Sequence, residues 1–183
     1  MAIKIIFESH STTIDNENHV STGHHDIELS ETGVKQAKDM GKRYMGVALN
    51  TVYCSDLQRS YKTAEIAFLG RDDIKIIKDK RLRECDYGDY TRFPSQEVTA
   101  QKEIRIEKPF PNGESYEDCS IRMKTFLDDI KNAHKDGDVI IIVGHRATQY
   151  GLDHWLLGKT LYKSVTDPWK WQPGWEYELK QEF

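Results

Sequence analysis

Two apolar runs of strand length constrain the fold of this chain more than any other feature. Ile3–Phe7 and Val139–Val143 are rich in β-branched residues, and only Lys4 interrupts them. Such runs are typical of parallel strands buried on both faces of an α/β sheet. Each run leads to a histidine, His10 after the first and His145 after the second. Because the carboxyl ends of parallel strands meet at one edge of the sheet, we expect the two histidines to share one site.

The segments between these runs alternate between helix and strand patterns. Ser30 is a good helix N-cap, with Leu29 and Val34 in hydrophobic-staple positions, and Ser55 and Gln58 have the spacing of a capping box. The alternation predicts an α/β fold, a three-layer α/β/α sandwich with a mainly parallel sheet. The further predicted elements are short strands at 51–54 and 74–77, a long helix after Ser115, a helix through Leu152 and Leu156, and a terminal strand near 176–179.

Composition excludes several classes of protein. The 183 residues carry 26 Lys and Arg against 30 Asp and Glu, a net charge of -4, with no basic stripe, so we expect no nucleic-acid partner. No basic segment followed by a long apolar one opens the chain, so neither a signal peptide nor a membrane partner is expected. Three widely spaced cysteines indicate a reducing, cytoplasmic location. The lack of a linker predicts a single domain over residues 1–183.

Two segments have no regular pattern that reveals a role. Residues 91–114 hold three of the five prolines and are predicted to be an irregular excursion over one face, where a substrate lid would sit. The aromatic tail, residues 169–177, has the content of a binding platform. Without a basic context, we expect it instead to pack over the sheet edge or to form a subunit contact in a homodimer.

Six motifs in order resemble those of a known family. The first part of the chain is similar to the opening of the histidine phosphatase superfamily, whose fold is that of phosphoglycerate mutase. The matching residues are the segment from His10 to Asn16, then Gly23 and Asp26, then Leu29-Ser-Glu-Thr-Gly33 with Gln36-Ala37. That opening reads Arg-His-Gly-Glu-Thr, then Asn, Gly and Asp, then a Leu-Thr-x-x-Gly-x-x-Gln-Ala helix start. The later matches are Ser55-Asp-Leu-Gln-Arg59 with Thr63-Ala64, Leu82-Arg-Glu84 with Gly88, Gly113-Glu-Ser115, and Val143-Gly-His145.

The resemblance implies a role for each of four side chains. His10 would be the nucleophile that forms a phosphohistidine, and a neutral imidazole with one nitrogen fixed by a hydrogen bond suits that role. Arg59 and His145 would bind the non-bridging oxygens of the phosphoryl group. Glu84 would protonate the leaving alcohol and then activate water, with Asp86 as the reserve candidate. No cofactor or metal is implied, and the substrate would be a small phosphorylated metabolite or another phosphomonoester.

The chain departs from the family pattern around the nucleophile. Ser9 replaces the arginine before His10, Ser11 and Thr12 replace Gly-Glu after it, and Val20 stands where the family commonly has arginine. Loss of a charged donor to the phosphoryl group costs on the order of 100-fold in rate. We hypothesise that Arg146, beside His145, restores that charge. Ser9, Ser11, Thr12, Asn16 and Gly23 complete the predicted phosphate- and substrate-binding set.

Other readings of the same residues remain open. Ser9 would also suit a catalytically weak or inactive module with a phospho-ligand binding or regulatory role. A mutase-type phosphotransferase is a further alternative within the family. His19, His24, His25 and Asp26 raise the alternative of a metal-dependent hydrolase, although a histidine-rich loop is often only solvated.

Overall fold

The computed structural model describes residues 2–49 and 51–180, so residues 1, 50 and 181–183 of the predicted 1–183 domain lie outside the described residues. A five-stranded sheet forms its centre, in the order β4-β3-β6-β1-β7. The strands are β1 (Ile3–Ser9), β3 (Thr51–Cys54), β4 (Lys75–Lys78), β6 (Val139–Gly144) and β7 (Trp175–Leu179), and a separate ribbon pairs β2 (Val20–Ser21) with β5 (Phe93–Pro94).

The sheet is mainly parallel, which confirms the predicted fold class. β1, β3, β4 and β6 run parallel, and β7 pairs antiparallel with β1 at one edge. The helices are α1 (Ile14–Glu17), α2 (Glu31–Arg43), α3 (Gln58–Ala67), α4 (Ser95–Gln101), α5 (Tyr116–Ala133), α6 (Arg146–Leu157) and α7 (Leu161–Thr166). None of the helices in the described part of the chain is both long and apolar enough to span a membrane.

Alternate residues of the central strands form two separate cores. Ile3, Ile5 and Phe7 pack on one face against apolar side chains of α5 and α6, whereas Ile6 packs on the other face with α2 and α3. This alternation follows from the two-residue period of a strand, and it produces the predicted three layers. A third cluster lies beside the sheet, where Tyr87, Val98 and Phe110 pack against the first turns of α5 and α6.

Local signals located two of the helices correctly. The hydroxyl of Ser30 accepts a hydrogen bond from the backbone N–H of Gly33 at the start of α2. Ser115 caps α5 and forms a reciprocal capping box with Asp118. Each cap satisfies backbone donors that the first turn of a helix leaves free.

Two predictions about local structure were wrong. Helix α3 begins at Gln58 after Leu57, and Ser55 does not cap it. Instead, the carboxylate of Asp26, distant in sequence, accepts hydrogen bonds from the backbone N–H of Gln58 at 2.7 Å and from its side-chain amide. Residues 91–114 are also more regular than predicted, since they contain β5 and the two-turn helix α4.

Candidate active site

The register of the two central strands brings the histidines together. Ser9 of β1 lies opposite Gly144 of β6, so His10 and His145 follow directly at neighbouring strand ends. The backbone N–H of His10 donates to the carbonyl of Gly144 at 2.9 Å, and the two imidazole ring centroids are 4.9 Å apart. The expectation of adjacent histidines at one sheet edge agrees with this geometry.

The hydrogen bond of His10 defines its tautomer. Nδ1 lies 2.8 Å from the carbonyl oxygen of Ser11, and because that oxygen can only accept, Nδ1 must carry the proton. Burial, and then the positive charge of Arg59, lowers the pKa of His10 from 6.5 to about 3. The imidazole is therefore neutral near pH 7, with a free lone pair on Nε2.

His145 lies behind His10 and is buried, with 1% of its surface exposed. Its Nε2 is 2.6 Å from the hydroxyl of Ser55, which explains why that serine does not cap α3. Its Nδ1 is buried and has no hydrogen-bond partner among the described residues. When the Ser55 hydroxyl donates to Nε2, the proton of the neutral ring is on Nδ1. Burial, with the charge of Arg59, lowers the pKa of His145 well below 6.5.

Arg59 is a fully buried cation that organises the loop before α2. Its two terminal nitrogens donate to the backbone carbonyls of Gly23 at 2.6 Å and His25 at 3.1 Å. Burial lowers the pKa of Arg59, but a guanidinium keeps its charge in proteins. Gly23 has a φ of 55°, in the left-handed region that favours glycine, and a Cβ there would meet the ring of Tyr87 at 3.1 Å.

Glu84 is held at the N-terminus of α6. Its Oε1 accepts backbone hydrogen bonds from Cys85 and Ala147, and its Oε2 accepts one from Arg146 at 3.1 Å. The positive end of the α6 dipole also favours a carboxylate at this place. Three backbone donors from two segments therefore fix the orientation of the carboxylate.

These groups surround one cavity of about 680 Å³ at the carboxyl edge of the sheet. Nine of the ten predicted site residues line it, and the tenth, His145, lies behind His10. The nine lining residues are Ser9, His10, Ser11, Thr12, Asn16, Gly23, Arg59, Glu84 and Arg146. The reserve acid Asp86 is not among the described residues that line the cavity; one of its carboxylate oxygens accepts from the backbone N–H of Gly88.

Arg146 reaches the cavity wall, where its guanidinium is held by neighbouring side chains. It donates to the side-chain oxygen of Gln149 at 3.1 Å, and its Cζ lies 4.4 Å from the ring centroid of Trp169. The ring of Tyr150 lies 5.0 Å from the same carbon. The guanidinium thus lies close to two aromatic rings on the side of the cavity formed by α6.

Sequence reasoning missed two parts of the wall. Gln36, Asp39, Met40 and Arg43 line the cavity as one face of α2, and their spacing of three and four residues is the signal that would have revealed them. The tail contributes the other part. Trp169 stacks on Trp175 with an interplanar angle of 22°, and Trp169 and Trp171 both line the cavity, so only the β7 portion of the tail packs on the sheet edge.

The residues of the metal-hydrolase alternative do not converge on one another. His24 donates to the carbonyl of Glu84 at 2.7 Å, and Asp26 binds the start of α3. Among the described residues, the group close enough to share an ion is Cys85, Glu114 and Cys119, outside the cavity. The guanidinium of Arg122 already contacts Glu114 and Cys119, and a cation at that place disfavours a second one.

Paired histidines, a buried arginine and a carboxylate around one cavity suit a protein class that transfers phosphoryl groups. The family model described as "Histidine phosphatase superfamily (branch 1)" matches residues 5–170. The chain therefore belongs to the histidine phosphatase superfamily, which confirms the resemblance in the sequence.

Similar proteins are named as phosphatases and mutases. The chain is 31% identical over 170 residues to "Phosphoserine phosphatase 1" of Hydrogenobacter thermophilus, and the alignment covers 88% of this chain and 79% of that protein. It is 27% identical over 154 residues to a 2,3-bisphosphoglycerate-dependent phosphoglycerate mutase of Allorhizobium ampelinum, covering 77% and 73%. The solved structure of YhfR from Bacillus stearothermophilus superimposes with a TM-score of 0.81 at 27% identity, covering 94% of this chain and 88% of that one.

Proposed function

We propose that this protein is a phosphomonoester hydrolase that works through a phosphohistidine intermediate at His10. The observation that carries the proposal is the hydrogen bond from His10 Nδ1 to the Ser11 carbonyl, which leaves an unprotonated Nε2 beside Arg59 and Glu84 in one cavity. A nucleophile must have a free lone pair at the working pH, and this geometry supplies one.

In the first step, Nε2 of His10 attacks phosphorus, and the bond between phosphorus and the leaving oxygen breaks. Glu84, in its protonated form, gives its proton to the leaving alcohol. Arg59 and the free Nδ1–H of His145 donate to the non-bridging oxygens as charge develops on them. The unpartnered buried Nδ1 of His145 supports this role, because such an atom gains a hydrogen bond when a phosphoryl group binds.

In the second step, Glu84 removes a proton from water, and the resulting nucleophile attacks the phosphohistidine. The bond between phosphorus and Nε2 breaks, inorganic phosphate leaves, and His10 returns to its neutral form. Ser9, Ser11, Thr12 and Asn16 line the cavity, and in this mechanism their side chains serve as neutral donors to the bound phosphate.

The substrate class is a small phosphorylated metabolite. A cavity of about 680 Å³ holds a molecule of that size. The relative named "Phosphoserine phosphatase 1" makes phosphoserine the first compound to test. The reaction as proposed takes place in one domain in the cytoplasm and uses no cofactor.

Ser9 motivates a second candidate function, that of a weak or inactive module that binds phosphorylated ligands. The arginine that the family has before its nucleophile is absent here, and neutral hydroxyl groups are weaker ligands of a phosphate dianion than a guanidinium. In this case the cavity would bind phosphate and release none from an ester. A mutase would instead pass the phosphoryl group to a second hydroxyl of its substrate.

The test is phosphate release from a panel of phosphomonoesters, phosphoserine and 3-phosphoglycerate included, by the natural protein and His10→Ala. We expect release by the natural protein and none by the variant, and turnover should survive dialysis against a chelator. Binding without release would favour the inactive module, transfer without release a mutase, and loss of turnover in chelator the metal-dependent hydrolase.

A further inference from the structure

The cavity wall carries basic side chains that could supply the charge missing at Ser9. Three arginines line the described cavity wall, namely Arg43, Arg59 and Arg146. Arg59 occupies its family position, and Arg146 lies close to two aromatic rings beside α6. Arg43 comes from the last turn of α2 and has no counterpart in the motifs of the sequence.

Arg43 is held at the strand end that carries the nucleophile. Its Nη2 donates to Oε1 of Glu8 at 2.9 Å, and the hydroxyl of Tyr44 donates to the same oxygen at 2.6 Å. Glu8 directly precedes Ser9 in β1, and both residues line the cavity because the strand ends there. The guanidinium of Arg43 is thus fixed beside the residue next to the position where the family arginine is missing.

The charge of Glu8 makes a cation at this place necessary. Only 1% of the surface of Glu8 is exposed. Glu8 nevertheless lines the cavity that is proposed to receive a phosphate dianion. A carboxylate and a phosphate dianion in the same cavity would repel each other unless a cation neutralised the carboxylate. Arg43 supplies that cation, and its hydrogen bond to Glu8 uses one of the five N–H donors of a guanidinium. With 32% of its side-chain surface exposed, it keeps donors free for a ligand in the cavity.

We propose that Arg43 donates hydrogen bonds to a non-bridging oxygen of the phosphoryl group at His10, in place of the arginine that the family has at position 9. The proposal rests on the proposed phosphatase function. The cation is carried by α2 instead of β1, and Glu8 and Tyr44 orient it. Planar guanidinium groups suit phosphate oxygens, so a lysine at position 43 would fill the role only in part.

The experiment combines two readouts, which are binding of orthovanadate and of inorganic phosphate by calorimetry, and kcat/KM on a phosphomonoester. For Arg43→Ala we expect affinity for both anions to fall at least about tenfold and kcat/KM to fall on the order of 100-fold. The matched control is Lys38→Ala, which removes the same charge from an exposed position of α2 outside the described cavity wall. It should leave both readouts within about twofold, the range expected of a surface substitution.

Two further variants separate ligand binding from a structural role. Glu8→Gln with Arg43→Ala removes the unpaired buried charge, so it should recover only the part of the affinity that was lost to repulsion by Glu8 and stay weaker than the natural protein, which has the guanidinium donors. Ser9→Arg with Arg43→Ala returns the cation to β1, and it should regain anion affinity. The proposal is overturned if the Glu8→Gln pair recovers full affinity, or if Arg43→Ala binds both anions as the natural protein does.

Anion binding is read without turnover, so failure of this proposal is distinguishable from failure of the phosphatase proposal. If the protein is inactive but its phosphate affinity depends on Arg43, the result would support the proposed role of Arg43 and contradict the proposed hydrolase function. If the protein is active but Arg43→Ala changes neither its anion affinity nor its kcat/KM, the result would contradict only the proposed role of Arg43. Arg146→Ala, measured alongside, tests the earlier hypothesis that the residue beside His145 supplies the charge.

Discussion

The partly buried His10 and the buried His145 are neutral imidazoles in the folded protein, and this ties the stability of the fold to pH. The pKa of His10 is lowered to about 3, and that of His145 lies well below 6.5. Below about pH 6.5 the unfolded chain takes up protons on these residues, whereas the folded chain does not, so acid favours unfolding. The stabilisation is complete above pH 6.5 and is lost as the pH falls towards about 3.

This linkage gives a prediction for His10→Gln. As the pH falls from about 6.5 to 5, protonation of His10 in the unfolded chain should lower the free energy of unfolding of the natural protein by about 2 kcal/mol. The variant has no imidazole at this position, so it should lack this contribution. Urea unfolding of both proteins at several pH values measures it. Parallel pH dependences of the two proteins would show that His10 titrates normally in the folded state.

Glu84 offers a second prediction at the level of one residue. Glu84→Gln removes the proton donor, so kcat on an alkyl phosphate such as phosphoserine should fall between about 10² and 10⁴-fold. On p-nitrophenyl phosphate, whose leaving group needs no proton, formation of the phosphoenzyme should slow by less than about tenfold. The burst of p-nitrophenolate, which leaves as the phosphoenzyme forms, measures that step in stopped-flow experiments. An equal loss on both substrates would mean that Glu84 positions α6 and transfers no proton.

The packing of α2 on the nucleophile loop depends on Gly33. A Cβ at Gly33 would lie 2.0 Å from the backbone carbonyl oxygen of Thr12, and backbone atoms cannot easily move aside. Gly33→Ala should therefore destabilise the fold by about 2 kcal/mol and displace the wall that carries Thr12 and Arg43. Gly46→Ala is the matched control, since a Cβ at Gly46 meets nothing within 4 Å. Thermal unfolding of the two variants compares them, and equal stability would contradict the close approach.

Elements were predictable where the signal lies within the element. The apolar runs gave β1 and β6, and the serine caps gave the starts of α2 and α5, because a cap bonds to a backbone group three residues away. The start of α3 was missed because its cap is Asp26, which tertiary structure brings in from another loop. Ser55 has the sequence of a cap, but its hydroxyl contacts His145.

The whole molecule explains why the family resemblance located most of the site and overlooked part of it. Motif residues sit on strand ends and helix starts that the parallel sheet gathers at one edge, and nine of the ten predicted residues line the cavity. The helical spacing of Gln36, Asp39, Met40 and Arg43 could have shown that they share a face of α2, but nothing in the sequence shows that this face borders the cavity. The importance of Arg43 arises from Glu8, which β1 delivers to the same edge of the sheet. The roles of Arg146 and of residues 91–114 as a lid stay predictions.

A covalent phosphoryl group on His10 is the central claim, and trapping it is the most direct test. The protein is mixed with a ³²P-labelled phosphomonoester and quenched within milliseconds. Half of the sample is then held in acid and half in alkali. We predict label on the natural protein that acid removes and alkali preserves, as for a phosphoramidate, located at His10 by peptide mapping and absent from His10→Ala. Steady phosphate release with no labelled protein at any quench time, or equal label on His10→Ala, would contradict the account.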